Sequence, residues 1–458
     1  MQFLLYQVPY LGNGMTIALV GIIHNVISHG LSIGAMTLIV LFEFLGFRKE
    51  SPDWEGFARG FLKATIIAVT GVGATTGVGI WVTISALSAR GVGSLIRIFF
   101  WPWFAEWAVF VAEVIVIMAY YFTWDSWKGG KKRQHIYLGV AYVFLALVSA
   151  FLITGILAFM LTSDDWPWDE NFWSAFLNPG FIPQLFLRLA ISYLLGSLFA
   201  AAFLLFTPRG EGFRREALPL LGTFAFLSLL AIILSTGWYL AVVPSRFKAF
   251  LIFSLLTSHC SQYPELLFGI VAAAILVTLS FSIHAWRGSV AAMRFFLIPA
   301  FLLSVAFLSE FERAREFIRG PYLLPGYLYT NQVLLKESIL FDREGMLPNA
   351  YWHGVLGFGD AFHQGAYLFA QNCSSCHTID GINDIKERLK GRTEEGIFVI
   401  LGHTSDLVPF MPPFSGSKEE RAITAKFLYQ LSTGAIKMPA PSRYTPLSPS
   451  RSGEGGNG

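Results

Sequence analysis

Apolar residues run in long stretches along the first two thirds of the chain, and polar residues collect between them. Eight stretches are long enough, or nearly so, for the roughly 20 residues that a spanning helix needs. They lie near 15–46, 62–88, 97–123, 136–162, 181–207, 217–243, 264–286 and 291–309. A ninth apolar run, 247–258, is short and reads as a re-entrant or surface segment. The pattern then changes. Residues 310–350 mix charges with Pro and Tyr and read as a linker on the membrane face. Residues 351–436 have the hydropathy of a small soluble domain, and 437–458, rich in Pro, Ser and Gly, read as disordered. The expected fold is all-α: a polytopic bundle of about eight transmembrane helices over 1–309, then a small domain.

Composition agrees. Of 458 residues, 54% are hydrophobic and 14% charged, against roughly 25% charged in soluble domains. The net charge of +3 gives no footing for a nucleic-acid partner. Residues 1–14 carry no charged side chain, unlike the positive start of a cleaved signal. The first segment is therefore expected to stay as a helix, with the N-terminus outside. The basic residues support this. Arg48, Lys49, Arg59, Lys63, Lys128, Lys131, Lys132, Arg133, Arg209, Arg214, Arg215, Arg287 and Arg294 then fall inside. Only Arg90, Arg97, Arg246 and Lys248 fall outside, with the acidic loop around Asp164 and Asp165. Trp101, Trp103, Trp166 and Trp168 read as an outer aromatic belt. An even number of spans returns the C-terminal domain to the outside.

That domain contains Cys373-Ser374-Ser375-Cys376-His377, the C-x-x-C-H arrangement of a c-type haem attachment site. Two thiols one helical turn apart can add to the two vinyl groups, and the adjacent His reaches the iron. Met411, in Met411-Pro412-Pro413-Phe414, is the expected sixth ligand, with His403 as competitor. A redox or zinc C-x-x-C site is the alternative. Over about 355–433 the segment resembles a class I cytochrome c. Gly365 and Tyr367 match its N-terminal helix, and Lys418–Leu431 match its C-terminal helix, with Tyr429 packing across. The resemblance implies one covalent haem c, attached on the periplasmic side of a bacterial inner membrane.

Ionisable residues inside spans are functional candidates. His24, His29, Glu106 and Glu113 occupy the outer halves of the first and third spans. Glu106 and Glu113, seven apart, share a helix face, about 10 Å apart along the axis. Counted from the outer ends, His24 and Glu106 lie about 13 Å deep, and His29 and Glu113 about 21–24 Å. Either histidine or both could bind iron; the alternative is polar residues hydrogen-bonded between helices. Arg188 could neutralise a haem propionate or an internal acid, or could snorkel. His135 and Glu43 read as interfacial, and His259 with Cys260 as an outer loop pair.

Over roughly 15–243 the chain resembles subunit I of cytochrome bd ubiquinol oxidase. The resemblance is carried by Trp103-Phe104-Ala105-Glu106-Trp107 through Ala112-Glu113 to Tyr121-Phe122-Thr123-Trp124, by His24 with Gly34 following, and by the glycines of 71–79. It implies a high-spin haem pair of b or d type attended by Glu106 and Glu113, with His24, or His29 second, as iron ligand. The family's fifth-helix haem-ligating His has no counterpart: Leu187 or Arg188 stands there. The implied function is a respiratory electron-transfer subunit, an oxidoreductase linking the c haem to membrane haem, with bd-like oxidase activity fed by the cytochrome c. The implied partners are other subunits of a respiratory complex and a periplasmic redox protein or small cytochrome. A haem-free membrane anchor for the cytochrome c domain is the alternative.

Overall fold

The computed structural model describes residues 6–163, 166, 171–256, 264–350 and 359–437. The tail beyond 437, the His259–Cys260 pair, Trp168 and most of the acidic loop lie outside them. The described chain is mostly helical, with eight helices long and apolar enough to cross a membrane: Asn13–Lys49, Pro52–Leu87, Phe100–Thr123, Gly129–Phe159, Phe172–Phe206, Glu211–Val242, Phe268–Trp286 and Val290–Phe317. The eight expected spans are all present. The last continues through 310–317, which its charges had assigned to the linker. The short ninth run forms the helix Ser245–Leu256.

Local chemistry sets several of these boundaries. Glu50 adopts a left-handed conformation (φ 50°) that ends the first span. Pro52 then opens the second span, with Asp53 and Glu55 in its first turn, where carboxylates favour the helix dipole. The first and fifth spans are the most buried and form the centre of the bundle. They meet backbone to backbone: a Cβ on Gly34 would lie 1.9 Å from the Ser192 carbonyl oxygen, and one on Gly196 would lie 2.4 Å from the Gly34 carbonyl carbon. The absence of side chains permits this approach. The first span is π-helical over Ser28–Ala35, the segment that includes Gly34 and His29. Such wide turns re-aim side chains within an otherwise regular helix.

The described chain divides into two compact units. One comprises Val20–Trp81 and Leu95–Ile318; the other comprises Met1–Leu19, Val82–Ser94 and Arg319–Gly458. In the second, Asp360 caps the helix Ala361–Asn372 by accepting from the His363 N–H at 2.9 Å. Ser417 and Glu420 form a capping box at the start of Lys418–Thr433, which Gly434 ends at φ 77°. These two helices pack at Gly365, where a Cβ would lie 2.5 Å from that of Phe427. Phe427 is the ring at Gly365, and Tyr429, two residues on, also packs against the domain's core. An antiparallel pair of short strands, Tyr322–Leu324 and Leu328–Tyr329, and the helix Leu335–Glu344 precede the domain.

Candidate functional site

The C-x-x-C-H residues form a helical turn after Ala361–Asn372. The Cys376 and His377 N–H groups both donate to the Cys373 carbonyl, at 3.1 and 2.9 Å. Both thiols are free. The His377 ring is oriented through Nδ1, 3.2 Å from the Asn383 carbonyl oxygen, the kind of second contact that fixes a metal-binding imidazole. Asn383 holds a left-handed backbone (φ 58°) to present that carbonyl. Burial, with Cys376 beside it, pushes the Cys373 thiol up to about 12. This is opposite to the lowered value of a redox-active thiol. Among the described residues no three His, Cys, Asp or Glu side chains converge on a metal site. The donor set, two free thiols one turn apart with an oriented imidazole beside them, fits a thioether-linked haem.

Thr404 Oγ1 donates to the Pro412 carbonyl at 2.7 Å, and the Met411 N–H donates to Val408 at 2.9 Å, so the Met411 loop is fastened at two points. His403, the competing ligand, is largely exposed and paired with Asp406 at 3.1 Å.

The four membrane candidates separate into two groups. Glu106 and Glu113 share one helix face, and Ser149 of the fourth span donates to Glu106 at 3.2 Å. Glu113 is buried, and its Oε1 has no hydrogen-bond partner among the described residues. An orphaned carboxylate oxygen costs free energy unless a cation, proton or ligand satisfies it. His24 places Nδ1 3.2 Å from the Thr76 hydroxyl of the second span. A Cβ on Gly77 would lie 3.2 Å from the His24 ring, so that glycine keeps space beside it. His29 differs. Its Nδ1 is 3.2 Å from Ser28 Oγ and its Nε2 is 3.4 Å from the Arg188 guanidinium. Both ring nitrogens therefore face protein groups.

Arg188 does not snorkel. It is buried and paired with Glu312 at 2.6 Å, while Arg315 holds the other Glu312 oxygen at 3.1 Å. The sequence reading missed Glu312, because the last span continues beyond its apolar stretch.

Glu43 and His135, expected at the inner ends of their spans, are both fully buried within the protein. His135 Nδ1 lies 2.5 Å from Glu43 Oε1, Tyr120 donates to Oε2 at 2.5 Å, and Lys132 pairs with Glu43 at 2.8 Å and with Glu55 at 2.6 Å. Tyr120 stacks on His135, with ring centroids 4.5 Å apart. Removing one member strands the others in apolar surroundings. Glu43→Ala is expected to destabilise the bundle by about 3–5 kcal/mol, seen as a lower thermal midpoint in detergent. A Glu43→Ala midpoint equal to that of the unaltered protein would refute this.

The family model described as cytochrome bd terminal oxidase subunit I matches residues 15–245. The chain belongs to that family. A second family model, cbb3-type cytochrome c oxidase subunit III, matches residues 360–428 of this bd-family chain. Among solved structures, a chain of the bd oxidase from Geobacillus thermodenitrificans is similar at TM-score 0.54 and 20% identity, covering 69% of this chain and 90% of its own. That likeness establishes the bd oxidase fold. Comparison with curated proteins yields no match. The chain is thus a multi-pass membrane protein of respiratory electron transfer, a bd-type bundle fused to a cytochrome c domain. The second family implies one covalent haem c, and the first implies haem b or d in the membrane part.

Proposed function

We propose that this bd-family chain carries electrons between a c haem on the periplasmic side and haem in the outer half of its membrane bundle, as a bd-like terminal oxidase fed by cytochrome c. The observation that carries the reading is the co-occurrence, in one chain, of an attachment turn with an oriented His377 and a pair of buried acids, one with an unsatisfied oxygen. Bound haem supplies one-electron transfer at both places and electron delivery to oxygen in the membrane. The protein does the rest. Cys373 and Cys376 would hold a haem c covalently, and His377, with Met411 on its fastened loop, would bind its iron. In the membrane His24 is the preferred iron ligand, because Thr76 sets its ring through Nδ1 and leaves Nε2 for iron. His29 is assigned to the Arg188–Glu312 cluster instead. Ser149 holds Glu106 in place, and Glu113 is the group positioned to hold or pass a proton.

The electron source is a periplasmic redox protein or small cytochrome, and other respiratory subunits complete the complex. At the positions that stand where the family's fifth-span histidine would be, Leu187 and Arg188 are both buried, and Arg188 is committed to Glu312. This favours cytochrome c over quinol as donor.

A pyridine haemochrome spectrum with haem quantified per chain tests the proposal. One c haem with one or two b or d haems, and carbon monoxide binding to the reduced form, is the expected result. A single c haem would reduce the bundle to an anchor. His24→Ala is expected to lose one membrane haem per chain while His29→Ala keeps it; the reverse pattern would transfer the ligand role to His29.

A further inference from the structure

We propose that the N-terminal segment, residues 6–14, is a positioning strap for the c-haem site. Through its backbone it fixes the loop whose carbonyl aims His377, and so sets the donor strength of that imidazole. This rests on the reading of His377 as an iron ligand. Strap, loop and attachment turn all belong to one compact unit.

The loop follows the C-x-x-C-H turn. At its end the Asn383 carbonyl oxygen lies 3.2 Å from His377 Nδ1. Ile382, just before Asn383, is held at both of its backbone polar groups. Its carbonyl accepts from Thr378 Oγ1 at 2.7 Å, and its N–H donates to the Tyr10 carbonyl at 2.6 Å. The first bond is internal to the loop; the second comes from the strap. The fit is close along its length. A Cβ on Gly381 would lie 2.0 Å from the Tyr10 carbonyl oxygen, one on Gly12 2.8 Å from Thr378 Cγ2, and one on Gly14 3.3 Å from the Ser375 carbonyl oxygen. The strap therefore touches the chain on both sides of His377.

The strap's own bonds hold the Tyr10 carbonyl in place. Tyr10 has a left-handed backbone (φ 61°), and Gly12 follows at φ 81°. The Gly12 N–H donates to the Val8 carbonyl at 3.0 Å. Buried Asn13 accepts from the Val8 N–H at 3.0 Å and donates to the Tyr6 carbonyl at 2.8 Å. A non-glycine residue at such a φ is costly and persists where its surroundings over-determine it. The Tyr10 side chain is exposed, so the role belongs to the backbone. A carbonyl that accepts the outer N–H of a ligating imidazole fixes the ring and raises its basicity, and hydrogen bonding around the ligands is a lever on haem potential. If the Asn383 carbonyl drifts, the imidazole becomes a weaker donor. The ferric state then loses more stabilisation than the ferrous, and the potential rises.

The test uses the full-length, haem-loaded protein. Tyr10→Pro fixes φ at about −65° and cannot keep the strap's turn; Tyr10→Gly removes the ring and keeps the conformation. A gel stained for haem first shows covalent attachment in each protein. Spectroelectrochemical titration of the c haem is then expected to give a raised potential in Tyr10→Pro and an unchanged one in Tyr10→Gly. Exchange of the His377 Nδ1 proton, followed by NMR of histidine-labelled protein, should quicken by about tenfold or more in Tyr10→Pro alone. A potential that stays or falls, or an unmoved exchange rate, would overturn the proposal; a fall would mark the strap as a cover whose loss admits water. An equal rise in Tyr10→Gly would overturn it too, by giving the role to the ring. If Tyr10→Pro fails to attach haem, Gly381→Ala, whose Cβ meets the Tyr10 carbonyl, is expected to raise the potential, and an unmoved potential there overturns the proposal. Absence of covalent haem from the unaltered protein would instead defeat the reading of the attachment site, and the strap's role with it.

Discussion

Replacing both Cys373 and Cys376 by Ala is expected to abolish covalent haem and to reduce electron input from a c-type donor to background, because the cofactor carries the redox chemistry. The two thiols are free and sit one turn apart, on a turn closed by hydrogen bonds to the Cys373 carbonyl. Cys373 packs against the domain's core while Cys376 is exposed, so circular dichroism of the variant is read alongside haem attachment to follow the domain's helices. Asp360, Ser417 and Glu420 still cap them, and Phe427 still packs on Gly365. The membrane haem should also survive, because His24, Glu106 and Glu113 belong to the other compact unit. A denaturing gel stained for haem reads the first loss, and oxygen uptake with a reduced small cytochrome reads the second. A band that persists in the double variant would remove the attachment role. Unchanged oxygen uptake would show that electrons reach the membrane haem by another route.

The legibility of these sites depends on how local their chemistry is. The C-x-x-C-H turn could be read directly, because its donors lie within five residues and their spacing is their geometry. Glu106 and Glu113 were legible as a shared face, because helical period alone sets that relation, and Ser149 opposite them is consistent with it. Depth fixes the level of a side chain and says nothing of its azimuth, and here His29 turns towards Arg188 while Glu106 turns towards Ser149. The π-helical segment at Ser28–Ala35 adds a rotation that no count of residues includes. The contact between Glu43 and His135 was not legible for a related reason. Each lies near the end of its own span, so each reads as interfacial, yet they meet across 92 residues of sequence. A contact of that range is a property of packing and leaves no local pattern.

Packing also dictates the second large effect. Gly34→Leu is expected to prevent correct assembly of the bundle, with a cost at or above the about 3 kcal/mol upper end of ordinary overpacking. Most enlarged side chains find a neighbour able to rotate away. Here the atoms in the way are backbone: the Ser192 carbonyl oxygen at 1.9 Å, its carbon at 2.8 Å and the Gly196 Cα at 2.9 Å. Relief requires the first and fifth spans, the two most buried, to separate. Separation would also disturb the charged cluster. Ser192 donates to the Arg188 carbonyl at 2.8 Å, and Arg188 carries the pair with Glu312 and the contact with His29. The stability loss and the loss of membrane haem should therefore appear together. Size-exclusion chromatography in detergent reads the monodisperse fraction, and the haemochrome spectrum reads the haem. Gly237→Leu is the control, since a Cβ at Gly237 meets nothing within 4 Å; it should leave both unchanged. Normal assembly of Gly34→Leu with full haem content would show that the two spans do not meet at these glycines.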